Sequence, residues 1–401
     1  MPADSGNLTL MRWANTSLII LFLLMLWLPT LDTLFHLDRS TFPRENRLLA
    51  QLPELRPSLG DLKEFIGGLD AYFNDHFGWR NRLIHLHRRL QLGVFPQRSG
   101  PKPTVIIGRN GWLFVNEGGT IEHYQGLWRF SPQDLLDWQA LLEHRRDWLA
   151  QLGIKFIVVV APDKESVYSE QLPAWLKKVQ PTTKLDQFYA YMHAHSSVAV
   201  VDLRPALREA KMIAPTYYQT DPHWNYFGGF VASQEIIKCL SKQMPELEPL
   251  SLSSFNLEMK PIPCSNLAAW AEEDVNENCA VFLLPKPDLP RLEIDSKPTE
   301  FPSFFAHFTR NPKASGNAIV LGDSMADCMA PFLGYHFGVV SYYDLHVLSK
   351  RLILQEKPDV VIIEMLEKTF YRIGPKGYDD RADYVMRQFL HDSPTNQPPT
   401  R

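Results

Sequence analysis

Ser324 ends the run Ile319-Val320-Leu321-Gly322-Asp323-Ser324, four apolar or small residues followed by a carboxylate and a hydroxyl. A strand that stops in this way hands a hydroxyl to the start of a helix. A serine alkoxide is inaccessible near neutral pH, so the hydroxyl must lose its proton to an imidazole as it attacks, and a carboxylate must fix the imidazole's tautomer. About a hundred residues earlier the chain carries Thr220-Asp221-Pro222-His223-Trp224, which supplies both partners. Each segment also has a plainer explanation. Asp and Ser are preferred helix caps, and Asp-Pro is a common turn pair. Function therefore turns on whether the two segments meet.

Positioning such residues takes a scaffold whose loops converge. The composition allows one, with 401 residues, 45% hydrophobic content and a net charge of -4. That charge is spread over both signs, with no long Lys/Arg run, zinc-finger spacing or Gly-rich phosphate loop, so nucleic acid is not an expected partner. Cys239, Cys264, Cys279 and Cys328 form no C-x-x-C pair, which argues against a structural zinc site. A bridge between Cys264 and Cys279 stays open. His193 and His195 are conceivable metal ligands beside Asp221 and His223, but two residues apart on a helix they face different directions. No metal and no cofactor are expected.

Residues 18–28 are continuously apolar, and no small-x-small cleavage site follows them. An uncleaved membrane-spanning anchor over 18–35 is expected, after a flank at 1–17. Arg12 precedes it and Arg39, Arg44 and Arg47 follow it, a distribution that by itself favours the tail of the chain on the cytoplasmic side. Apolar residues at helical intervals, among them Phe65, Leu69, Tyr72 and Phe73, predict a helical stalk within 36–103. A Pro/Gly/Ser-containing linker at 97–103 then opens a domain spanning 104–392.

Within that domain strand and helix signals alternate. Apolar runs at 104–108, 155–160, 198–203, 318–321 and 358–364 read as strands, and Ser131-Pro132 and Tyr226 open helices. Alternation of this kind predicts an α/β fold, a parallel sheet flanked by helices. The stretch 245–312 is proline-rich and weakly periodic, an excursion with some extended structure. The tail 393–401 is polar and expected to be disordered.

Six ordered blocks carry a family resemblance: Asn74-Asp75-His76-Phe77-Gly78-Trp79-Arg80; Gly108-Arg109-Asn110-Gly111-Trp112-Leu113-Phe114; Pro162-Asp163-Lys164-Glu165-Ser166-Val167-Tyr168 with Leu172-Pro173; Asp221 to Trp224; Gly322-Asp323-Ser324; and Lys357-Pro358-Asp359-Val360-Val361-Ile362. The chain resembles the alginate O-acetyltransferase J/X-related family of SGNH-hydrolase-like, membrane-anchored or periplasmic exopolysaccharide acetyltransferases. The resemblance implies a catalytic triad of Asp221, His223 and Ser324, with Pro222 standing where a small polar residue is expected. It also implies an exopolysaccharide acceptor, a multi-spanning membrane O-acyltransferase as acetyl donor, and an inner-membrane, single-pass protein whose catalytic domain lies in the periplasm. No carbohydrate-binding module is expected after the domain, so Lys164 and Tyr168 are candidates for polymer or loop contacts, with core or capping roles as the plainer alternative, and Trp224 is a candidate for substrate contact beside its reading as a core residue. The same triad with water as acceptor would make a carbohydrate acetylesterase, and a non-catalytic subunit of a modification complex is the alternative of another class.

Overall fold

The computed structural model describes residues 105–262, 280–295, 308–345 and 347–372, together with 59–79 and short runs or single positions at 13, 15–24, 27, 31–32, 35, 50–53, 83, 267, 277 and 374–375. Residues 1–101 with 269–274 form one compact unit, and residues 102–268 with 275–401 form another. In the first, helix α1 spans Leu59–His76, within the predicted stalk. Asp75 accepts from the Ala50 N–H at 2.7 Å, and Asp32 accepts from the Trp79 N–H at 3.0 Å. Residues 15–24 are helical and exposed. Among the described residues no helix is long and apolar enough to cross a membrane, so the expected anchor over 18–35 is not confirmed. Cys264, Cys279, most of 80–103 and the tail 393–401 lie outside the described residues.

The second unit is built on strands β1 (Val105–Ile107), β2 (Leu113–Val115), β3 (Lys155–Ala161), β4 (Ala199–Asp202), β5 (Phe255–Met259), β6 (Val281–Pro285), β7 (Glu293–Asp295), β8 (Phe308–Arg310), β9 (Asn317–Gly322), β10 (Val339–Asp344) and β11 (Val360–Leu366). Its helices are α2 (Thr120–Tyr124), α3 (Pro132–Gln151), α4 (Lys164–Val167), α5 (Lys184–His195), α6 (Arg204–Ala210), α7 (Tyr226–Leu240), α8 (Ala326–Leu333) and α9 (Lys350–Glu356). Seven strands form one sheet in the order β4-β3-β11-β9-β10-β8-β7. β4 through β10 run parallel. β8 and β7 continue the sheet antiparallel.

That antiparallel edge corrects the expectation of a wholly parallel sheet. A parallel return needs a crossover of a dozen or so residues, and only residues 311–316 separate β8 from β9, so β8 leaves in the opposite sense. The 245–312 excursion thus gives the main sheet its last two strands, β8 and the edge strand β7, and its other part pairs β5 with β6 as a separate antiparallel ribbon. β1 and β2 likewise make their own hairpin, so the first apolar run of the domain stays outside the main sheet.

Period-2 alternation sends successive side chains of the central strands to opposite faces, and both faces are covered. Ile157, Val159, Ala318, Val320, Val360 and Ile362 join one core with Ile236, Met329 and Leu333 from α7 and α8. Phe156, Val158, Ile319, Leu321, Val361 and Ile363 join the other with Leu142, Phe188 and Ile353 from α3, α5 and α9. The predicted start of α3 is a capping box: Ser131 accepts from the Asp134 N–H, and Asp134 accepts from the Ser131 N–H. In this layered arrangement the carboxyl ends of β3, β9 and β11 share one rim, where loops from distant parts of the sequence converge.

Candidate active site

β9 ends at Gly322, and the chain turns through Asp323 and Ser324 into α8. Asp323 makes the turn rigid. Its Oδ1 accepts from the Met325 N–H at 3.1 Å, its Oδ2 accepts from the Leu366 N–H at 2.8 Å, and its own N–H donates to Glu364 Oε2 at 3.1 Å. Burial and the neighbouring Asp323 carboxyl push the Glu364 carboxyl well above the usual range. Gly322 is needed for this packing, since a Cβ there would lie 2.8 Å from Glu364 Oε2 and 2.9 Å from the Ala326 Cβ. At the start of α8 the Met325 and Ala326 N–H groups are directed to Asp323, to its side chain and its carbonyl respectively.

The Asp221–His223 loop is a tight hairpin. Tyr217 and Trp224 pair across it, the Tyr218 N–H donates to the His223 carbonyl at 3.1 Å, and the Asn225 N–H donates to the Thr216 carbonyl at 3.0 Å. Asn225 then caps α7, accepting from the Phe227 and Gly228 N–H groups. At the tip the Thr220 N–H and hydroxyl both donate to Glu277, at 2.7 and 2.8 Å. Glu277 has no periodic sequence context around it, and no sequence signal pointed to it.

These two segments meet. His223 Nδ1 lies 2.5 Å from Asp221 Oδ1, and His223 Nε2 lies 2.8 Å from Ser324 Oγ. A carboxylate only accepts, so Nδ1 carries the proton and Nε2 is left to accept from the serine hydroxyl. Burial works to raise the Asp221 carboxyl, but the hydrogen bonds and charge of His223, with the charge of Lys164, hold it below the usual carboxylate range. His223 is half-buried, with 28% of its side chain exposed.

The other singled-out residues face inward. Trp224 is fully buried, and its indole N–H donates to the Met325 carbonyl at 2.7 Å, a strut from the hairpin to the turn beyond Ser324. Tyr168 is buried at 4%, stacks on Trp112 with ring centroids 4.2 Å apart, and accepts from the Thr216 N–H at 2.8 Å. Lys164 is buried at 2%, and its Nζ donates to the carbonyls of Tyr218, Gln219 and Asp221. None of the three offers a free surface to a polymer. His193 Nε2 approaches the Val200 carbonyl at 3.4 Å and His195 packs on Tyr191. Among the described residues no three His, Cys, Asp or Glu side chains are grouped so as to hold a metal ion.

A second group of carboxyls lies on the same rim. Glu367, just past β11, accepts from the Asp163 N–H at 2.8 Å, and Asp163 accepts from the Lys368 N–H at 3.2 Å. His123 approaches Glu367 at 3.4 Å, but burial lowers its pKa to about 3, so the ring is neutral and this is no ion pair. Burial raises Asp163 and Glu367 as well, and pushes Glu165 up to about 7. Between the ordinary value of 4.5 and about 7 the folded chain keeps the Glu165 proton while the unfolded chain has released it. Stability that is present below that window must therefore fall as pH rises through it. Urea midpoints measured from pH ~5 to ~8 should decline, and Glu165→Gln should flatten the decline. An unchanged slope in that variant would mean the carboxyl is already ionised in the folded protein.

Residues 105–263 match the protein family described as the SGNH hydrolase-like domain of the acetyltransferase AlgX. The matched segment contains Lys164, Asp221 and His223 and stops short of Ser324. Curated relatives carry the name "Probable alginate O-acetylase AlgJ": that of Pseudomonas putida is 31% identical over 35% of this chain and 35% of its own length, and that of Pseudomonas aeruginosa is 30% identical over 42% and 40%. The Pseudomonas syringae protein of that name is 25% identical over 55% of this chain and 53% of its own. The chain thus spans about half or less of the length of these relatives. Among solved structures, the O-acetyltransferase domain of Pseudomonas putida AlgJ aligns with a TM-score of 0.43 at 20% identity, over 71% of this chain and all of that one. Bacillus cereus PatB1 aligns at 0.48 and 15% identity, over 65% of this chain and 95% of that one. Over residues 105–263, the segment that carries the Asp-His hairpin, the chain is thus similar to the family that the sequence blocks resemble.

Proposed function

We propose that this chain is an O-acetyltransferase that carries an acetyl group on Ser324 and delivers it to hydroxyls of an exopolysaccharide. One observation carries the reading, the 2.8 Å approach of His223 Nε2 to Ser324 Oγ with Asp221 on the far nitrogen. As Oγ attacks the acetyl carbonyl, its proton passes to Nε2, and the imidazolium then protonates the departing donor oxygen. A sugar hydroxyl repeats the sequence in reverse: it gives its proton to Nε2, attacks the acyl-serine carbonyl, and Oγ leaves with the returned proton. Asp221, held as a carboxylate, stabilises the imidazolium in both halves.

The acetyl donor we assign to this chain is a multi-spanning membrane O-acyltransferase, with residues 18–35 as an inner-membrane anchor and the triad on the periplasmic side. The AlgJ name of its relatives supports a uronate polymer as acceptor. A reporter fused after Arg401 should be active on the periplasmic side only.

Transfer and hydrolysis differ in what resolves the acyl-enzyme. Supplied with an activated acetyl ester and an oligosaccharide acceptor, the protein should release the acetyl group faster than without acceptor and yield acetylated sugar. If free acetate is the product under every acceptor condition, the chain is an esterase and the transferase reading is wrong.

A further inference from the structure

We propose that Lys164 is a positioning residue of this site: its buried ammonium gathers three carbonyls of the loop that presents Asp221 to His223, and so sets the geometry of the triad without touching substrate. The inference rests on the reading of Ser324 as nucleophile.

Lys164 opens the short helix α4 just after β3, at the rim where Ser324 also lies. Its Nζ is 3.1 Å from the Tyr218 carbonyl, 3.2 Å from that of Gln219 and 2.7 Å from that of Asp221. An ammonium has three donors and no acceptor, and three carbonyls drawn from four consecutive residues meet them. The backbone between Tyr218 and Asp221 curls around a single charge. That charge also lies 5.5 Å from the Trp112 ring centroid and 5.3 Å from that of Phe114. Taking a cation out of water is costly unless every donor is met. Here carbonyl dipoles and ring faces meet it, and the cost is spent beside the triad.

A hydrophobic or hydrogen-bonded plug could hold a loop equally well. A cation does something further, because the field that holds the carbonyls also acts on the carboxylate of the same loop. Lys164 is among the charges that keep Asp221 ionised, alongside His223. Other titratable groups also face this loop: Tyr218 and Cys328, both pushed upward by burial, and Glu277, whose carboxyl accepts from Thr220 next to Asp221. Lysine also suits the pocket in shape. A planar guanidinium cannot aim three N–H groups at carbonyls arranged around one point.

The test follows acylation of the full chain by 4-nitrophenyl acetate across pH, in Lys164→Gln, Lys164→Met and Lys164→Arg, with rates expressed per folded molecule. Lys164→Gln keeps donors in place and removes the charge. It should acylate about 10²-fold more slowly, the scale on which a misplaced catalytic group is felt, and the acid limb of its profile should move to higher pH because Asp221 binds its proton more readily. Lys164→Arg should restore the limb more fully than the rate. If any folded variant keeps both the wild-type rate and the wild-type limb, or if the only change in all three is a smaller folded fraction, the lysine is a structural plug and the inference falls. Ser324→Ala in the same assay separates the two readings. A silent Ser324→Ala beside a wild-type-like Lys164→Gln sinks the lysine alone, whereas a Ser324→Ala protein that acylates normally sinks the nucleophile and the lysine with it.

Discussion

Ser324→Ala is expected to lose acetyl turnover by on the order of 10⁵-fold or more while the protein stays folded. In the proposed mechanism the hydroxyl is the atom that bonds to the acetyl carbon, so no neighbouring group can substitute for it, and losses of this size accompany removal of a triad nucleophile. Ser324 is only partly buried, and its hydroxyl contacts His223 Nε2; a single hydroxyl at a rim contributes little to stability. His223→Ala should behave alike, since the serine then has no base within reach. The two changes should not add, because triad members act as a unit. Rates for both singles and the double, taken with unfolding midpoints, check the expectation. A double mutant worse than either single by the product of their effects would show that the two residues work independently.

Gly229→Ala should be the most damaging small change outside the triad. Gly229 lies in α7, and a Cβ there would sit 2.2 Å from the Cys328 carbonyl oxygen, 2.4 Å from its carbon and 2.9 Å from the Met329 nitrogen. These are backbone atoms of α8, which no rotamer change can clear. The helices must separate, and overpacking of this kind costs about 3 kcal/mol or more. The consequence reaches the chemistry, because α7 continues from the His223 hairpin and α8 continues from Ser324. Acylation should fall further than the loss of folded protein explains. An unfolding midpoint equal to that of the wild type would show that the helices part freely.

The sequence made the reacting groups legible because their chemistry restricts them to few residue types at strand ends and turns. Ser324, His223 and Asp221 are found together as the spacing allowed. Lys164 was visible as a rim residue, but its direction was not, since a lysine in a short polar run reads as solvent-facing and only the carbonyls of a loop 54 to 57 residues away turn it inward. Trp224 and Tyr168 mislead in the same way: their polar tips bond to backbone, so their rings pack inside the core. Glu364 falls in the last apolar strand as an apparent exception, and its burial makes sense only once Asp323 is beside it. β10 gave no signal because Ser341, Tyr342, Tyr343 and Asp344 mix polar and aromatic groups; neighbours on both sides, β9 and β8, make it a strand.

The order of the sheet has a consequence for biosynthesis. β3 and β4 arise early in the domain and β9 and β10 late, yet β11, made after all of them, is the strand that lies between β3 and β9. Until β11 is made, β4-β3 and β9-β10 are two half-sheets with no shared hydrogen-bonded ladder. Strand pairing across more than two hundred residues, Val360 to Lys155, is slow because the loop must close before the contacts reward it. During that interval the exposed inner edges of β3 and β9 are the places where a chaperone, or another copy of the chain, would bind. Residues 360–366 supply the ladder that joins the two half-sheets, and this adds to the direct packing of α7 on α8 and the Trp224–Met325 bond that already tie the hairpin to the turn at Ser324.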